Sequence, residues 1–249
     1  MNTSVTNQFN EIAGRRQVDM AEDLSFREMS HTWMARSFQH RYGYNFTWGG
    51  QPLLKYPQDI MMLQMLIHRI RPTVILECGV AFGGCLMFLS DMQRLFDING
   101  RVIGIEQNVL TETWQATGSY RENGRISLIE ADSALPSTLT RVEEMIPGGA
   151  TVLVILDSDH SRDHVLTELK LYSGLVTPGS YLVVFDTFIE HIGCEIADRS
   201  FGPGNSPMNA VDEFMKSNQD FEIDTAIDQK LLISEAPSGY LRRLGTESA

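Results

Sequence analysis

TVILECG at residues 73–79, GGCLMFLSDMQRLF at 83–96 and RVIGIE at 101–106 decide the fold of this chain. The first and third are short apolar runs, typical of strands buried on both faces, and the segment between them reads as a helix. Outward from this unit the alternation continues. Residues 111–120 read as a helix, RISLIEAD (125–132) as a strand, 135–145 as a helix, TVLVILD (151–157) as a strand and 162–175 as a helix. SYLVVFD (180–186) is a further strand, followed by a loop to Pro207 and a helix to Ser217. The terminal FEIDTAIDQKLLIS (221–234) reads as two strands joined through Ala226-Ile227-Asp228. Successive β–α units predict a doubly wound, Rossmann-like, mostly parallel seven-stranded sheet with helices on both faces. The closing strand pair puts one antiparallel strand into it.

Before this alternation lies an extension, residues 1–56, which we separate from a main domain at 57–249. Residues 1–18 are polar and expected to fray. From Asp19 to Arg41 the pattern is helical, with Leu24, Phe26, Met29, Trp33 and Phe38 as its apolar positions. YGYNFTWGGQPLLKYP (42–57) is an aromatic, glycine-containing loop. Pro57 opens a helix that runs to Arg71 and carries Ile60, Leu63, Ile67 and Ile70 at three- and four-residue spacing. A chain of 249 residues has room for one large domain with such an extension.

The net charge is −12, the opposite of the basic footprint that nucleic acid or an anionic membrane surface demands. No apolar run approaches the roughly 20 residues that span a bilayer. MNTSVTNQFNEIAGRR at the N-terminus has no apolar secretory core, which gives the expectation of a cytoplasmic protein. The three cysteines, Cys78, Cys85 and Cys194, form no CxxC pair and argue against a disulfide framework or zinc knuckle. Cys78 and Cys85 sit in apolar stretches and read as small core residues.

In open α/β sheets ligands bind beyond the carboxyl ends of the strands, so the polar residues at those ends are the informative ones. Glu77-Cys78-Gly79-Val80-Ala81-Phe82-Gly83-Gly84 follows the first strand and opens a helix. Its GxxxGG spacing differs from the GxGxxG of dinucleotide sites. Glu77 would repel a pyrophosphate at the helix N-terminus but favour a cation, such as the ammonium or sulfonium of S-adenosylmethionine. Glu106 ends the second strand about 20 residues beyond the glycines, where the ribose-binding acid of such folds is expected. Asp132 ends the third strand, where a polar group can meet adenine. A tight βα turn with solvated acids is the plainer alternative, and a nicotinamide-dependent dehydrogenase is the alternative that GxxxGG and Glu77 oppose.

LDSDH places Asp157 and Asp159 two residues apart, on one face if the chain stays extended. Asp186 ends the neighbouring strand. Three carboxylates in one crevice must hold a cation or share protons. Oxygen ligands of this kind suit Mg²⁺, so Asp157, Asp159 and Asp186 are candidate metal ligands. A metal there would lower the pKa of a bound hydroxyl, and His160, Asp159 or Asp186 would take its proton. Simpler roles exist for each: Asp159 or Asp163 as a helix cap, His160 bonded to a loop carbonyl, His191 and Glu190 solvated, His164 packed in its helix.

TWGGQPLLKYPQD, VILECGVAFGGCLMF, LDSDHSRDHVLTELKLYSGLVTPGSYLVVFDTFIE and FGPGNSPMNAVDEFM resemble the cephalosporin hydroxylase / rhamnosyl O-methyltransferase family over about residues 42–235. LDSDH and GPGNxPxxAV are the specific stretches. The resemblance implies the class I methyltransferase fold and an S-adenosylmethionine-dependent O-methyltransferase. Its acceptor would be a hydroxyl of a deoxysugar or related natural-product scaffold, with Mg²⁺ assistance and a homo-oligomeric assembly. It places the cofactor at Glu77, Gly79, Gly83, Glu106, Asp132 and Asp157, and the metal in the Asp157–Asp159 stretch and at Asp186. One departure matters: the family shows an acid pair at the end of the fifth strand, and here the first member is Phe185. Without a metal, His160 or Asp186 acting as general base is the expected mechanism. The alternative from another class is a non-catalytic helper subunit that keeps the cofactor pocket. The loop 192–207, rich in glycine and proline, is placed over the acceptor. Trp48 and the aromatic loop either cover the site or pack a subunit contact.

Overall fold

The computed structural model describes residues 4–192 and 200–245; Gly193 and Cys194 lie outside the described residues. The main sheet has seven strands: β1 (Val74–Cys78), β2 (Arg101–Glu106), β3 (Ile126–Glu130), β4 (Val152–Leu156), β5 (Tyr181–Val184), β6 (Phe221–Ile223) and β7 (Tyr240–Arg243). Their order is β3-β2-β1-β4-β5-β7-β6, and β7 lies antiparallel between β5 and β6. The order reverses beside β1, so β1 and β4 open the crevice at their carboxyl ends.

The period of two sorts the strand residues onto two cores. Ile75, Leu153, Ile155, Tyr181, Val183 and Tyr240 face one side. There they meet α3 (Pro57–Ile70), α4 (Gly84–Leu95) and Ile227 of α10 (Thr225–Leu231). Val74, Leu76, Val154, Leu182 and Val184 face the other side. Here α7 (Pro136–Glu143), α8 (Arg162–Tyr172) and α9 (Pro207–Ser217) cover them. The segment after β2 is two short helices, α5 (Thr111–Ala116) and α6 (Gly118–Glu122).

Three expectations need correction. The last strand is not in KLLIS: residues 225–231 form α10, and the antiparallel strand is Tyr240–Arg243. Ile227 and Leu231 are four apart, a helical spacing that the abundance of apolar residues masked, and Ile227 is buried in the first core. The N-terminal stretch is not frayed over residues 5–18. α1 spans Val5–Glu22, capped by the Ser4 hydroxyl, which accepts from the Asn7 N–H. Asp23 ends it and caps α2 (Leu24–Gln39) by accepting from the Phe26 N–H, so the expected single helix from Asp19 is broken there.

α2 reaches the crevice through Phe38 and Gln39, and its Met34 packs with Tyr56, Phe188 and Ile192. Residues 42–57 form the expected loop, with local order of its own. They hold a 3₁₀ turn at Tyr42–Asn45 and a tight two-stranded ladder pairing Trp48 with Gln51 across Gly49-Gly50. Trp48 packs edge-on against Phe88 and donates its indole N–H to Asp91 at 2.9 Å, so it serves the α4 face rather than covering the crevice.

Candidate active site

A cavity of about 920 Å³ lies beyond the carboxyl ends of β1, β2, β4 and β5. Glu77, Gly79, Glu106, Asp132, Asp157, Asp159, His160 and Asp186 all line it. The fold therefore brings the strand-end residues to one place, across a chain separation of more than one hundred positions. Gly83 stands at the start of α4 on the same loop. Phe38, Tyr42, Tyr44 and Phe201 supply aromatic wall.

At the β1–β3 end the dominant feature is Glu77, 1% exposed. Among the described residues neither of its oxygens has a nitrogen or oxygen donor, and only the weakly donating thiol of Cys85 lies beside it. Burial holds its carboxyl up at about 8. A buried, unpaired acid is costly, and the ammonium of S-adenosylmethionine is a cation of the kind that would offset it. Glu106 braces the glycine loop: its Oε2 accepts from the N–H groups of Val80 and Ala81 at 3.1 and 3.2 Å. Asp132 accepts from the Ala134 N–H at 2.8 Å.

The glycines do something the sequence did not reveal. A Cβ on Gly79, at φ +89°, would sit 2.0 Å from the Asp157 carbonyl oxygen; one on Gly84 would sit 2.2 Å from that of Pro52. Both positions admit protein backbone rather than ligand backbone. The Gly84 contact draws residues 51–55 against the top of α4 and sends Lys55 into the cavity.

Lys55 is the residue that strand-end reasoning missed. Its Nζ lies 2.5 Å from Asp157 Oδ2 and 4.1 Å from the centre of the Phe185 ring, and the side chain is 2% exposed. Burial works against its charge. The carboxylates of Asp157, Glu235 and Asp186 outweigh that and hold its pKa well above the usual value, so it remains an ammonium. The same burial lifts Asp157 to about 6, more than one shared ammonium lowers it. Glu235, which accepts from the Tyr56 N–H at 3.1 Å, is likewise raised, burial being the main cause. The only sequence signal for Lys55 was its place in TWGGQPLLKYPQD.

The three carboxylates expected to hold a metal do not form its donor set. Asp157 is engaged by Lys55. Asp159 is engaged in its own turn: it accepts from the Ser161 N–H at 2.7 Å, because the strand ends at Leu156 and the period of two no longer applies. That bond, acting against partial burial, holds its carboxyl below the usual range. Asp186, at φ +58°, faces His160, with Oδ2 to Nε2 at 3.5 Å. Glu190 accepts from Gly204 N–H and the Ser206 hydroxyl and ties down the loop before α9. Among the described residues no group of three His, Cys, Asp or Glu side chains could hold a metal ion.

His160 meets Phe201 edge-to-face at 5.0 Å, and His191 stacks near His31 at 6.2 Å. His164 is more than packing: its Nε2 lies 3.2 Å from the Ser133 hydroxyl and 3.3 Å from the buried Glu168.

The family model Rhamnosyl O-methyltransferase/CmcI matches residues 40–244. The rhamnosyl O-methyltransferase of Mycobacterium leprae (strain TN) is 29% identical over 223 residues, 88% of this chain and 91% of that protein. The rhamnosyl O-methyltransferase of Mycobacterium tuberculosis (strain ATCC 25618 / H37Rv) is 28% identical over 201 residues, 79% of this chain and 78% of that protein. Among solved structures, one described as CmcI-N160 apo-structure has a TM-score of 0.59 at 20% identity, covering 82% of this chain and 78% of its own. One described as cmcI-D160 Mg-SAM has a TM-score of 0.58 at 19% identity, covering 81% and 78%. These two share the fold. The chain belongs to the Rhamnosyl O-methyltransferase/CmcI family and is a class I S-adenosylmethionine-dependent O-methyltransferase.

Proposed function

We propose that the acceptor is a hydroxyl of a deoxysugar of rhamnose type, or of a related small natural-product scaffold, and that Glu77 holds the donor's ammonium. The observation that carries this reading is the single cavity in which the orphaned acid at β1 and the His160–Asp186 pair at β4–β5 face one space. Its volume, about 920 Å³, stands at the upper end of the roughly 300–1,000 Å³ typical of ligand sites. The aromatic wall of Tyr42, Tyr44 and Phe201 suits the apolar face of a sugar ring. The names of the mycobacterial relatives support the sugar.

When bound, S-adenosylmethionine supplies a sulfonium-activated methyl group. In our reading the chain's residues do the rest. Glu77 fixes the amino acid end, Glu106 and Asp132 meet ribose and adenine, and Gly79 and Gly83 shape the loop between. The acceptor oxygen attacks in line, forming the O–CH₃ bond as the S–CH₃ bond breaks. Its proton passes to His160, whose imidazolium Asp186 stabilises. Such general-base help is worth about 10²–10⁴-fold, and alignment about 7–11 kcal/mol. No step runs through a metal.

Incubation of the purified chain with S-adenosylmethionine and a panel of rhamnosides, free and nucleotide-linked, tests the proposal. Mass spectrometry should show one added methylene on a rhamnosyl product. Methylation of aromatic hydroxyls alone would replace the sugar with another acceptor. The same reading includes a homo-oligomer. Phe9 on α1 is 62% exposed and Leu24 and Met29 on α2 are 74% and 60% exposed, an apolar band that self-association would cover. Light scattering on the eluted protein should give a multiple of the chain mass.

A further inference from the structure

We propose that the Lys55 ammonium is a built-in cation, occupying the charge position that a divalent metal would otherwise fill among Asp157, Asp186 and Glu235, so that methyl transfer by this enzyme needs no metal. The inference rests on the methyltransferase reading above.

Three observations carry it. First, the chain has no acid at position 185. Phe185 is 1% exposed, and its ring lies under the ammonium at 4.1 Å. A ring face attracts an ammonium through its quadrupole but offers a small dication no ligand oxygen. Second, Asp157 is already taken: the 2.5 Å contact with Nζ leaves no space on that oxygen for an ion at ligand distance. Third, the lysine is built into the fold. Gly84 lets the Pro52 carbonyl approach the helix, Leu53 is in the core, and the Leu53 N–H bonds the Phe46 carbonyl at 3.0 Å. The backbone is thereby fixed two and three residues before Lys55.

The chemistry balances without a metal. Lys55 keeps its proton throughout and acts as a positioning residue. It holds Asp157 and offsets its charge and those of Glu235 and Asp186, so that the hydroxyl proton can move to His160 beside Asp186. The oxygen's electron pair goes to the methyl carbon, and the S–CH₃ pair returns to sulfur.

Titration of Mn²⁺ into the full chain saturated with S-adenosylhomocysteine tests this, read by calorimetry and by the Mn²⁺ paramagnetic signal. The wild type should show no saturable site that depends on Asp186. Lys55→Met should gain a one-to-one site, tighter by roughly 100-fold, as expected when a unit charge beside a dication is removed. Asp186→Asn in the Lys55→Met background should remove it again, and Lys55→Arg should bind no Mn²⁺. One-to-one Mn²⁺ binding by the wild type that Asp186→Asn abolishes would overturn the proposal. So would a Lys55→Met chain that binds S-adenosylhomocysteine normally but gains no Mn²⁺ site. Should Lys55→Met fail to fold, Lys55→Gln takes its place, and the wild-type titration decides independently of both. Failure of the wild type to bind S-adenosylhomocysteine would count against the methyltransferase reading, not against Lys55.

Discussion

The two ends of the cavity are built by different means. At the β1–β3 end, Glu77, Glu106 and Asp132 stand at the tips of adjacent parallel strands, and the partners of the last two come from within about 26 residues along the chain. At the β4–β5 end, the partner of Asp157 is Lys55, 102 residues away, and Glu235 joins from beyond α10. Local order therefore explains the β1–β3 end. The β4–β5 end depends on a loop that packs through Gly84 and on the return of the chain after β5. Carboxylates at strand tips can be located by pattern alone, but the cation they keep depends on tertiary packing.

The sharpest way to break this contrast is to disable one end and leave the other working. Asp186→Asn should lower turnover by about 10²–10⁴-fold through loss of imidazolium stabilisation, with S-adenosylmethionine affinity nearly unchanged. Steady-state kinetics beside calorimetry would show it. An equal loss of binding would mean the ends are not separable.

Glu77→Gln should do the reverse and also stabilise the free protein. The carboxyl titrates at about 8 when folded and near 4.5 when unfolded, so the folded state holds the proton more tightly between those values. Its contribution is present at low pH and is lost as pH rises from about 4.5 through 8. Glutamine does not titrate, so the variant's advantage should be nil near pH 4.5 and on the order of 3 kcal/mol at pH 7. Chemical denaturation at the two pH values checks the sign.

Gly84→Ala sharpens the claim about the loop. The added methyl meets the Pro52 carbonyl, and the strain should cost about 1–3 kcal/mol of stability. Turnover should fall more than cofactor affinity, because Lys55 moves with residues 51–55. The smallest effect belongs to Trp48→Phe, which removes the bond to Asp91 but keeps the ring against Phe88. A loss of about 1 kcal/mol in thermal unfolding, with kinetics unchanged, is expected.

Much of the fold was legible because continuous apolar strands and helical spacing are local signals. The succession of β1 to β5 along the chain, the burial of Cys78 and Cys85, and the gathering of the strand-end residues all follow from them. α10 was not legible, since Ile227 and Leu231 at helical spacing sit in a stretch as apolar as a strand. β7 was missed because YLRR is short and half charged. The grouping of Asp157 with Asp159 failed for a physical reason: the strand stops at Leu156, and Asp159 bonds its own turn. Lys55 carries no local sign of burial, and its role appears only when the loop is folded over α4.

Glu77 is the proposed anchor of the cationic donor. Calorimetric titration of S-adenosylmethionine from pH 6.5 to 8.5, with wild type and Glu77→Gln, tests it most directly. One-to-one binding should tighten with rising pH up to about tenfold per unit below 8, as the cation displaces the carboxyl proton, and the variant should bind at least about 30-fold more weakly at pH 8. Equal affinity in the two proteins, or no pH dependence in the wild type, would contradict it.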